Sequence, residues 1–371
     1  MTPAGDAAEA ALDAQLEAFN YVLPSELIAQ HPCPDRDGAR LLVLPRTASD
    51  SAIEHSHVRE LPRWLRAGDL LVVNATRVLP ARLEGRKQTG APAEALVLGR
   101  AEGENCYRAL VKARGKLRVG AGFEFGPPGA SIRAQIASLG ERGELVLEFA
   151  LGEHESPYSV GLPPLPPYIL KARRDAAADG ETTSSESVCD AERYQTVFAK
   201  VPGSVAAPTA GLHLTFELLA QLTAAGVEHA EVVLHVGPGT FRPLSAEDLA
   251  RGRLHQEPFE LPTETADAVA RTRARGGRVV AVGTTSVRVL EACASEGGGV
   301  QAGRGETDLF LRPGSAFRVV DALLTNFHLP GSSLLLLAAA FAGRERLLGA
   351  YEQAVRRGYR FYSYGDAMLI V

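Results

Sequence analysis

The spacing of apolar and polar positions divides the chain into stretches of different rhythm. Between residues 68 and 151, short segments of alternating apolar and polar residues are separated by turns rich in Gly and Pro; examples are 95–98, 107–111, 122–125 and 143–149. A period of two is typical of half-buried strands, and no convincing helical period interrupts it. The pattern predicts a small antiparallel β barrel at residues 68–155.

From residue 194 onward the period lengthens, and helical runs alternate with short apolar strands. A helical run at 263–275 precedes an apolar strand at 278–282, a second helix is predicted at 286–295, and a third at 344–357 precedes a strand-like segment at 359–364. Such alternation indicates an α/β layer structure. We therefore expect an α/β main domain, made of residues 19–67 and 156–371, with an inserted small antiparallel β-barrel domain.

Other stretches lack the pattern of a packed element. Residues 1–18 are rich in Ala and acidic side chains and lack the basic start and apolar centre of a signal peptide, so we expect a frayed extension. Residues 175–190 are polar and residues 297–306 are rich in Gly, which favours mobile loops. The longest apolar run, 334–341, is shorter than the roughly 20 residues that a membrane-spanning helix needs, so no membrane association is expected.

Composition narrows the range of folds and compartments. The 371 residues are 46% hydrophobic, and a chain of this size exceeds what one compact core usually holds. The 4 cysteines are far apart and form no Cys-x-x-Cys pair, so neither a disulfide framework nor a zinc ribbon is indicated, and a reducing cytoplasm fits. The net charge of −5 argues against a nucleic-acid coat over the whole surface and leaves local basic patches open.

Two histidines frame a predicted strand-and-helix unit. The segment PTAGLH at 208–213 precedes an amphipathic run that Thr215 caps, so His213 lies just before a helix N-terminus, where unpaired amides and the helix dipole favour anions. His235 falls at the carboxyl end of a predicted strand, 227–236, the edge where open α/β sheets place ligands. Each histidine alone is as compatible with a hydrogen-bonded core residue as with a chemical role.

A second candidate site is the strand, small-residue turn and helix start at 279–290. The free amides and hydroxyls of Thr284, Thr285 and Ser286 can hold a carboxylate, a ribose or a phosphate. The alternative is an ordinary βα connection in which Ser286 is only an N-cap. The segments TNFHLP at 325–330 and YGD at 364–366 follow further predicted strands, so the three segments can converge on one cleft.

A run of basic residues follows one of the barrel segments. No acidic residue interrupts the stretch 108–118. Such a patch can track phosphates, although a solvated strand face is the commoner origin of this pattern. The cations are Arg108, Lys112, Arg114, Lys116 and Arg118, with Arg77 and Arg82 upstream of them.

Several site classes are not indicated. No Gly-x-Gly-x-x-Gly follows a predicted strand, and the sequence has neither a Gly-x-x-x-x-Gly-Lys-Ser/Thr loop nor a Gly-x-Ser-x-Gly elbow. His213, His235, His255 and His328 do not have the spacing of a zinc motif. We therefore expect no metal site.

Many segments, in order along the chain from about residue 19, resemble one known family. They are YVLP at 21–24, LIAQ at 27–30, GDLLVVN at 68–74, TRVLPAR at 76–82, YQTVF at 194–198, VAAPTAGLH at 205–213, LHVG at 234–237, GTF at 239–241, VGTTSVR at 282–288, TNFHLP at 325–330 and FYSYGDAM at 361–368. By these motifs the chain is similar to the S-adenosylmethionine:tRNA ribosyltransferase-isomerases of queuosine biosynthesis. Ala75 departs from the pattern, because a second Asn is expected there.

The resemblance implies a transferase that moves the ribosyl part of S-adenosylmethionine onto 7-aminomethyl-7-deazaguanine at the tRNA wobble position and isomerises the sugar. Its products are epoxyqueuosine in tRNA, adenine and methionine. The resemblance also implies that S-adenosylmethionine is a co-substrate rather than a prosthetic group, that tRNA is the partner, and that the enzyme is a monomer without a metal. A phosphoribosyl-type transferase, a metal-dependent hydrolase and a non-catalytic RNA-binding module stay open as alternatives.

This chemistry needs an acid and a base in one pocket, because a proton beside the sulfonium must be removed and the departing adenine gains from a proton donor. We assign His213 or His235 as the base and Asp366 as a carboxylate for the sulfonium or a ribose hydroxyl, with His328 as a further catalytic group. The expected substrate-binding residues are Thr209, Thr240, Arg242, Thr284, Thr285, Ser286, Arg288, Asn326 and Tyr364.

Within that set, the three residues of the 284–286 turn are assigned to the methionine carboxylate or the ribose, and Arg288 is assigned to orienting the turn. Asn326 and His328 are expected to face the purine or the deazaguanine. The basic residues between positions 77 and 118 that are named above are the expected tRNA contacts.

Overall fold

A computed structural model describes residues 17–47, 53–141, 143–178, 186–237, 239 and 244–371. Residues 1–16 of the expected extension and 179–185 of the expected polar loop lie outside the described residues. The candidate binding residues Thr240 and Arg242 also lie outside them. Among the described helices, none combines the length and the apolar character needed to cross a membrane.

The described part of the chain forms strands β1 to β17. In chain order they are β1 (Arg40–Leu44), β2 (Glu54–His57), β3 (Leu70–Asn74), β4 (Thr76–Val78), β5 (Arg82–Lys87), β6 (Pro92–Arg100), β7 (Cys106–Ala113), β8 (Gly122–Phe125), β9 (Ile132–Leu139), β10 (Glu144–Ala150), β11 (Val201–Ser204), β12 (Glu228–Leu234), β13 (Glu257–Leu261), β14 (Val279–Val282), β15 (Gly303–Thr307), β16 (Ala322–Asn326) and β17 (Ala367–Ile370).

Helices α1 to α8 all follow the barrel strands in the described chain. They are α1 (Pro167–Ala178), α2 (Glu186–Arg193), α3 (Phe216–Ala224), α4 (Ala246–Arg251), α5 (Thr263–Ala274), α6 (Gly283–Ala292), α7 (Ser333–Ala342) and α8 (Arg344–Arg356). As expected, the Thr215 side chain caps α3 by accepting a hydrogen bond from Leu218 N. The Ser332 side chain caps α7 in the same way, by accepting a hydrogen bond from Leu335 N.

Nine strands form one large sheet in the order β15-β13-β12-β3-β14-β16-β17-β1-β2. The four central strands β12, β3, β14 and β16 are parallel, so their carboxyl ends meet at one edge of the sheet. Every residue of β3, β14, β16 and β17 is buried. A strand covered on both faces carries an unbroken apolar run instead of an alternating one, and the segments LLVV, VVAV and ALL have this character.

The inserted barrel closes in the order β10-β7-β6-β5-β8-β9, with antiparallel pairing throughout. Alternate residues of β9 point inward and outward: Ile132, Ala134 and Ile136 are buried, whereas Arg133 and Gln135 are exposed. The expected fold class, an α/β main domain with an inserted antiparallel barrel, is therefore confirmed.

Two strands within residues 68–155 lie outside the closed barrel. Strand β3 is central in the large sheet, between β12 and β14, and β4 pairs with β11 in a separate two-stranded sheet. The barrel strands themselves run from Arg82 to Ala150. The run LLVVN precedes the barrel strands in the sequence, but its continuous apolar character is typical of a buried parallel strand.

Three local expectations are wrong in part. The segment 175–190 is helical at both described ends, since α1 extends to Ala178 and α2 begins at Glu186. The Gly-rich segment 297–306 includes most of the edge strand β15, which backbone pairing with β13 holds in place. Residues 359–364 form a turn whose aromatic side chains pack inward, and the last strand, β17, begins only at Ala367.

Asp69 joins the start of β3 to the start of β14. Its buried carboxylate accepts hydrogen bonds from Arg66 N at 3.0 Å, from Arg278 N at 3.1 Å and from Arg278 Nη2 at 2.6 Å. Burial acts to raise the pKa of Asp69, but the hydrogen bonds from Arg278 and Arg66 outweigh it and lower the pKa below its ordinary value. The charged carboxylate therefore stabilises the folded chain.

We expect Asp69→Ala to lower the free energy of unfolding by about 3 kcal/mol at pH 7, because it leaves the partly buried Arg278 guanidinium unpaired. Since folding lowers the pKa of Asp69, its contribution is present above the ordinary pKa of 3.8 and is lost as the pH falls through the folded value. Urea denaturation measures both effects. The control Asp267→Ala, at an exposed position of α5, should cost less than about 0.5 kcal/mol; an equal cost for the two variants would contradict this account.

Candidate active site

A cavity of about 360 Å³ opens at the carboxyl ends of β14 and β16. These strands are parallel neighbours, so the segments that follow them meet at the same edge of the sheet. The volume falls in the range of small-molecule sites, roughly 300–1,000 Å³. The lining residues are 167–168, 206–210, 236, 283–285, 325–330, 332, 334 and 362–363.

The described lining of the cavity contains no Asp, Glu, Lys or Arg. Its polar groups are hydroxyls such as those of Thr209, Thr284 and Thr285, the amide of Asn326 and the imidazole of His328. A charged part of a ligand would therefore be met by backbone and side-chain dipoles rather than by an opposite charge.

The turn at 283–285 forms one wall of the cavity. Gly283 has φ +83, a left-handed conformation that glycine adopts without strain, and α6 starts here with no side-chain cap. The first amides of a helix lack intrahelical partners, and Thr285 Oγ1 is buried with no hydrogen-bond partner among the described residues. The turn thus offers unused donors to a carboxylate or hydroxyl. Ser286 is different, because its Oγ donates to Val282 O at 2.8 Å inside the helix and does not line the cavity.

Asn326, at the end of β16, connects the cavity to two distant segments. Its Nδ2 lies 3.1 Å from His213 Nε2 and donates to Tyr362 O at 3.1 Å. Its Oδ1 is buried and has no hydrogen-bond partner among the described residues. An unsatisfied buried acceptor costs about 1–3 kcal/mol, so an oxygen of this kind on a residue that lines a ligand-sized cavity is a candidate ligand contact.

His328 lines the cavity two residues further on. Its Nε2 lies 2.8 Å from Thr325 Oγ1, and its backbone is held by Tyr351, whose hydroxyl accepts from His328 N at 2.8 Å. Burial lowers the pKa of His328 to about 3. The imidazole is therefore neutral at physiological pH.

His213 lies behind the cavity wall, in a separate pocket of about 20 Å³ that it shares with Tyr364. It reaches the cavity through its contact with Asn326. Burial lowers the pKa of His213 to about 4, although the nearby Asp366 carboxylate acts in the opposite direction. Tyr364 is also buried, and its hydroxyl donates to Asp190 Oδ1 at 3.4 Å.

Asp366 does not line the cavity, and its oxygens bind other parts of the chain. They accept hydrogen bonds from Arg40 N at 3.0 Å, Arg40 Nη2 at 3.0 Å and Arg360 N at 2.8 Å. The carboxylate thus fixes the 360–366 turn to the start of β1, and the expectation that it faces the substrate is not met by this geometry.

His235 and Arg288 also lie away from the cavity. His235 Nδ1 is 2.8 Å from Thr76 Oγ1, and the ring packs so closely on Gly203 that a Cβ there would lie 2.7 Å from it. Burial lowers the pKa of His235. Arg288 forms a buried ion pair with Glu257 and donates to Thr307 O at 3.2 Å, so its guanidinium holds β13 and β15 rather than the 283–285 turn.

The basic residues of 108–118 are all exposed. Arg108 and Lys112 lie on the outward face of β7, and Arg114, Lys116 and Arg118 lie in the loop that follows it. The sheet places acidic residues nearby: Glu94 is the cross-strand partner of Lys112, and Arg82 pairs with Glu84 and Glu94. The uninterrupted cluster is therefore the 114–118 loop. Arg77, also exposed, donates to Ala199 O.

Two aromatic residues in the lining were not singled out from the sequence. The rings of Tyr168 and Tyr362 are 4.4 Å apart between centroids, with an interplanar angle of 41°. Tyr362 belongs to the FYSYGDAM motif, so its motif membership was a usable signal. Tyr168 follows a proline-rich stretch and carries no comparable signal.

The fold and the cavity define a class of protein: a two-domain α/β protein with a small-molecule pocket, uncharged in its described lining, at the carboxyl edge of its sheet. The family model described as "Queuosine biosynthesis protein" matches residues 16–370, and the chain belongs to this family. Within the described residues, no group of three or more His, Cys, Asp or Glu side chains is arranged to hold a metal ion.

Curated relatives cover nearly the full chain. A protein of Anaeromyxobacter sp. (strain Fw109-5) named S-adenosylmethionine:tRNA ribosyltransferase-isomerase is 50% identical over 365 residues, covering 96% of this chain and 99% of the relative. A protein of the same name from Trichlorobacter lovleyi is 48% identical over 359 residues, with the same coverage. The crystal structure of S-adenosylmethionine tRNA ribosyltransferase from Thermotoga maritima is similar with a TM-score of 0.53 and 37% identity, covering 95% of this chain and 100% of that one.

The low pKa values of His213 and His328 predict a loss of stability in mild acid. Both imidazoles bind protons less readily in the folded chain than in the unfolded chain, whose pKa is about 6.5, so stability is fully present above that pH and falls as the pH drops toward 4. As the pH falls from 7 to 5, we expect the free energy of unfolding to decrease by about 2 kcal/mol for each of these two histidines.

Urea denaturation at the two pH values measures this effect. His213→Asn and His328→Gln should each remove about 2 kcal/mol of the change in unfolding free energy between the two pH values, whereas His229→Ala, at an exposed position, should leave that change the same. An unchanged slope in both buried-site variants would show that neither imidazole is held neutral by folding.

Proposed function

We propose that this chain is an S-adenosylmethionine:tRNA ribosyltransferase-isomerase, the activity for which its curated relatives are named. It transfers the ribosyl part of S-adenosylmethionine to the aminomethyl group of a 7-deazaguanine at the tRNA wobble position, isomerises the sugar, and releases adenine and methionine. The observation that carries the proposal is the cavity of about 360 Å³ at the carboxyl ends of β14 and β16, whose described lining is uncharged and includes Thr285, Asn326 and His328.

The methionine part of the co-substrate is proposed to bind at the 283–285 turn. The N-terminus of α6 carries unpaired amides and the positive end of the helix dipole, both of which favour a carboxylate. The unpartnered hydroxyl of Thr285 adds a donor. Because no basic side chain lines the described cavity, this turn is its best anion site.

His328 is proposed as the acid-base group, in place of His213 or His235. It is the imidazole that lines the cavity, and its neutral state leaves a nitrogen lone pair able to accept the proton beside the sulfonium. The same proton can return to adenine as the base departs.

The tRNA is proposed to contact the barrel through the exposed 114–118 loop, so that the phosphate backbone is held by one domain while the wobble base enters the cavity of the other. An enzyme acting on a base in a folded tRNA must turn that base outward into its pocket. We propose a monomeric enzyme in the cytoplasm, the compartment in which a tRNA substrate is expected.

Incubation with S-adenosylmethionine and a tRNA that carries 7-aminomethyl-7-deazaguanine tests the activity. We expect nucleoside mass spectrometry to show epoxyqueuosine, with adenine and methionine released in equal amounts. A control tRNA with unmodified guanine at the wobble position should give none of these products. Turnover of S-adenosylmethionine that does not depend on the modified base would overturn the proposal.

The same assay tests the role of His328. We expect His328→Gln to lower kcat by about 10² to 10⁴-fold, the usual contribution of a general acid-base group. The exposed His229→Ala is the matched control and should keep wild-type kcat. A His328→Gln variant with near wild-type kcat would exclude the imidazole from proton transfer.

For the barrel surface, we expect the double variant Arg114→Ala with Lys116→Ala to weaken tRNA binding and to reduce the slope of log affinity against log salt concentration by about 2, since each cation that neutralises a phosphate adds about one unit to the slope. Fluorescence anisotropy over a salt series measures the slope. Arg356→Ala, at an exposed position of α8, is the control. A slope that stays the same in the double variant would show that the 114–118 loop does not bind phosphates.

A further inference from the structure

The orientation of the Asn326 amide follows from its surroundings. One N–H of Nδ2 donates to the carbonyl oxygen of Tyr362, which can only accept a hydrogen bond. The other N–H is directed at His213 Nε2, 3.1 Å away. If the amide were flipped, its oxygen would face the Tyr362 carbonyl oxygen, which is repulsive. Oδ1 is therefore a fixed acceptor, and it is the amide atom left for a ligand.

This arrangement also decides the form of His213. Its Nε2 accepts from Asn326, so that nitrogen carries no proton and the neutral ring is protonated on Nδ1. If Nε2 carried a proton, its N–H would point at the N–H of Asn326 Nδ2, and no hydrogen bond could form. His213 does not line the cavity, so it acts on a bound ligand through Asn326.

The aromatic wall of the cavity is tied to the same amide. Tyr362 has φ +76, a left-handed conformation that is strained for a residue with a bulky side chain. The conformation is held by three hydrogen bonds: Tyr362 N donates to Phe327 O at 3.1 Å, and Tyr362 O accepts from Asn326 and from Gly365 N. Tyr168, beside it, accepts from Ser363 N at 3.1 Å. Backbone strain that holds a ring in a cavity is typical of ligand sites.

The acceptor and the aromatic wall together select the kind of base that fits. Adenine presents one exocyclic amine as its hydrogen-bond donor, and a single amide oxygen matches it. A guanine-type base presents two adjacent donors, a ring N–H and an amine, which a carboxylate matches best, and the described lining contains no Asp or Glu. A planar purine also gains from contact with aromatic rings.

We propose that Asn326 Oδ1 accepts a hydrogen bond from the exocyclic amine of the adenine of S-adenosylmethionine, that this base packs against Tyr168 and Tyr362, and that His213 is a positioning residue that holds the Asn326 amide. The inference rests on the proposed function for the identity of the ligand. It assigns the 7-deazaguanine base of tRNA to a different part of the site.

Free bases test the assignment without turnover. Isothermal titration calorimetry of the full chain with adenine and with hypoxanthine compares two bases of equal size, because hypoxanthine carries a carbonyl oxygen where adenine carries the amine. We expect hypoxanthine to bind at least about 10-fold more weakly, since its oxygen faces Oδ1. Equal affinities, or binding of 7-aminomethyl-7-deazaguanine in preference to adenine, would overturn the proposal.

Variants separate positioning from a general structural role. We expect His213→Ala to raise the KM for S-adenosylmethionine more than it lowers kcat. The variant should also reduce the difference in affinity between adenine and hypoxanthine, because the amide is then held by Tyr362 alone. His213→Gln, which keeps an acceptor, should restore both. If His213→Ala retains the full difference between the two bases, His213 does not position Asn326. Tyr168→Ala should bind adenine more weakly, because it removes the ring that packs against the base, whereas the exposed His229→Ala should bind adenine like the wild type.

The two proposals fail in different ways. If the enzyme modifies the tRNA but binds adenine and hypoxanthine equally well, the proposed activity is supported and the proposed adenine site is wrong. If the chain binds adenine selectively but does not modify the tRNA, the proposed adenine site is supported and the proposed activity is wrong. Far-ultraviolet circular dichroism of each variant confirms that the chain is folded, so that weaker binding reports the missing side-chain interaction and not unfolding.

Discussion

The side-chain amide of Asn326 is the contact on which the geometry of the cavity depends. It lies at the end of a buried strand and binds His213, which is 113 positions away in the sequence, and Tyr362, which is 36 positions away. Three segments that share no local sequence relation are thereby held against one another. Each hydrogen bond is modest, but the one to His213 is buried and the one to Tyr362 is partly buried, so breaking the buried one leaves an unpaired polar group at a cost of about 1–3 kcal/mol.

Charge is placed behind the cavity rather than in it. Asp366 pairs with Arg40 and fixes the turn that carries Tyr362, while Glu257 pairs with Arg288 and holds two strands of the sheet. Buried pairs of this kind add little net stability, because the cost of removing two charges from water offsets their attraction. Their value lies in geometry: the Asp366 pair holds a turn that has no regular backbone pairing, and the Glu257 pair fixes α6 to the sheet. The cavity itself keeps neutral groups, and burial keeps His328 neutral as well.

The periodic parts of the fold could be predicted from the sequence because burial in those parts follows local rules. Alternation in a segment such as Glu144–Ala150 indicates a strand with one buried face, and the helical runs indicate helices with one buried stripe. The predictions failed where distant pairing decided the structure. The run LLVVN borders the barrel in sequence but is inserted between β12 and β14, and the Gly-rich β15 exists because β13 supplies its hydrogen bonds.

The sequence by itself determined the α/β and barrel classes, the cap of α3 and the segments that carry the site, because these depend on spacing within a few residues. Tertiary structure alone decided which side chains of those segments face the cavity. Thr209, Thr284, Thr285, Asn326 and His328 line it, whereas His213, His235, Ser286, Arg288, Tyr364 and Asp366 contact other parts of the chain. Motif membership could not separate the two groups, because the direction of each side chain is set by strand pairing and by hydrogen bonds to residues far away in the sequence.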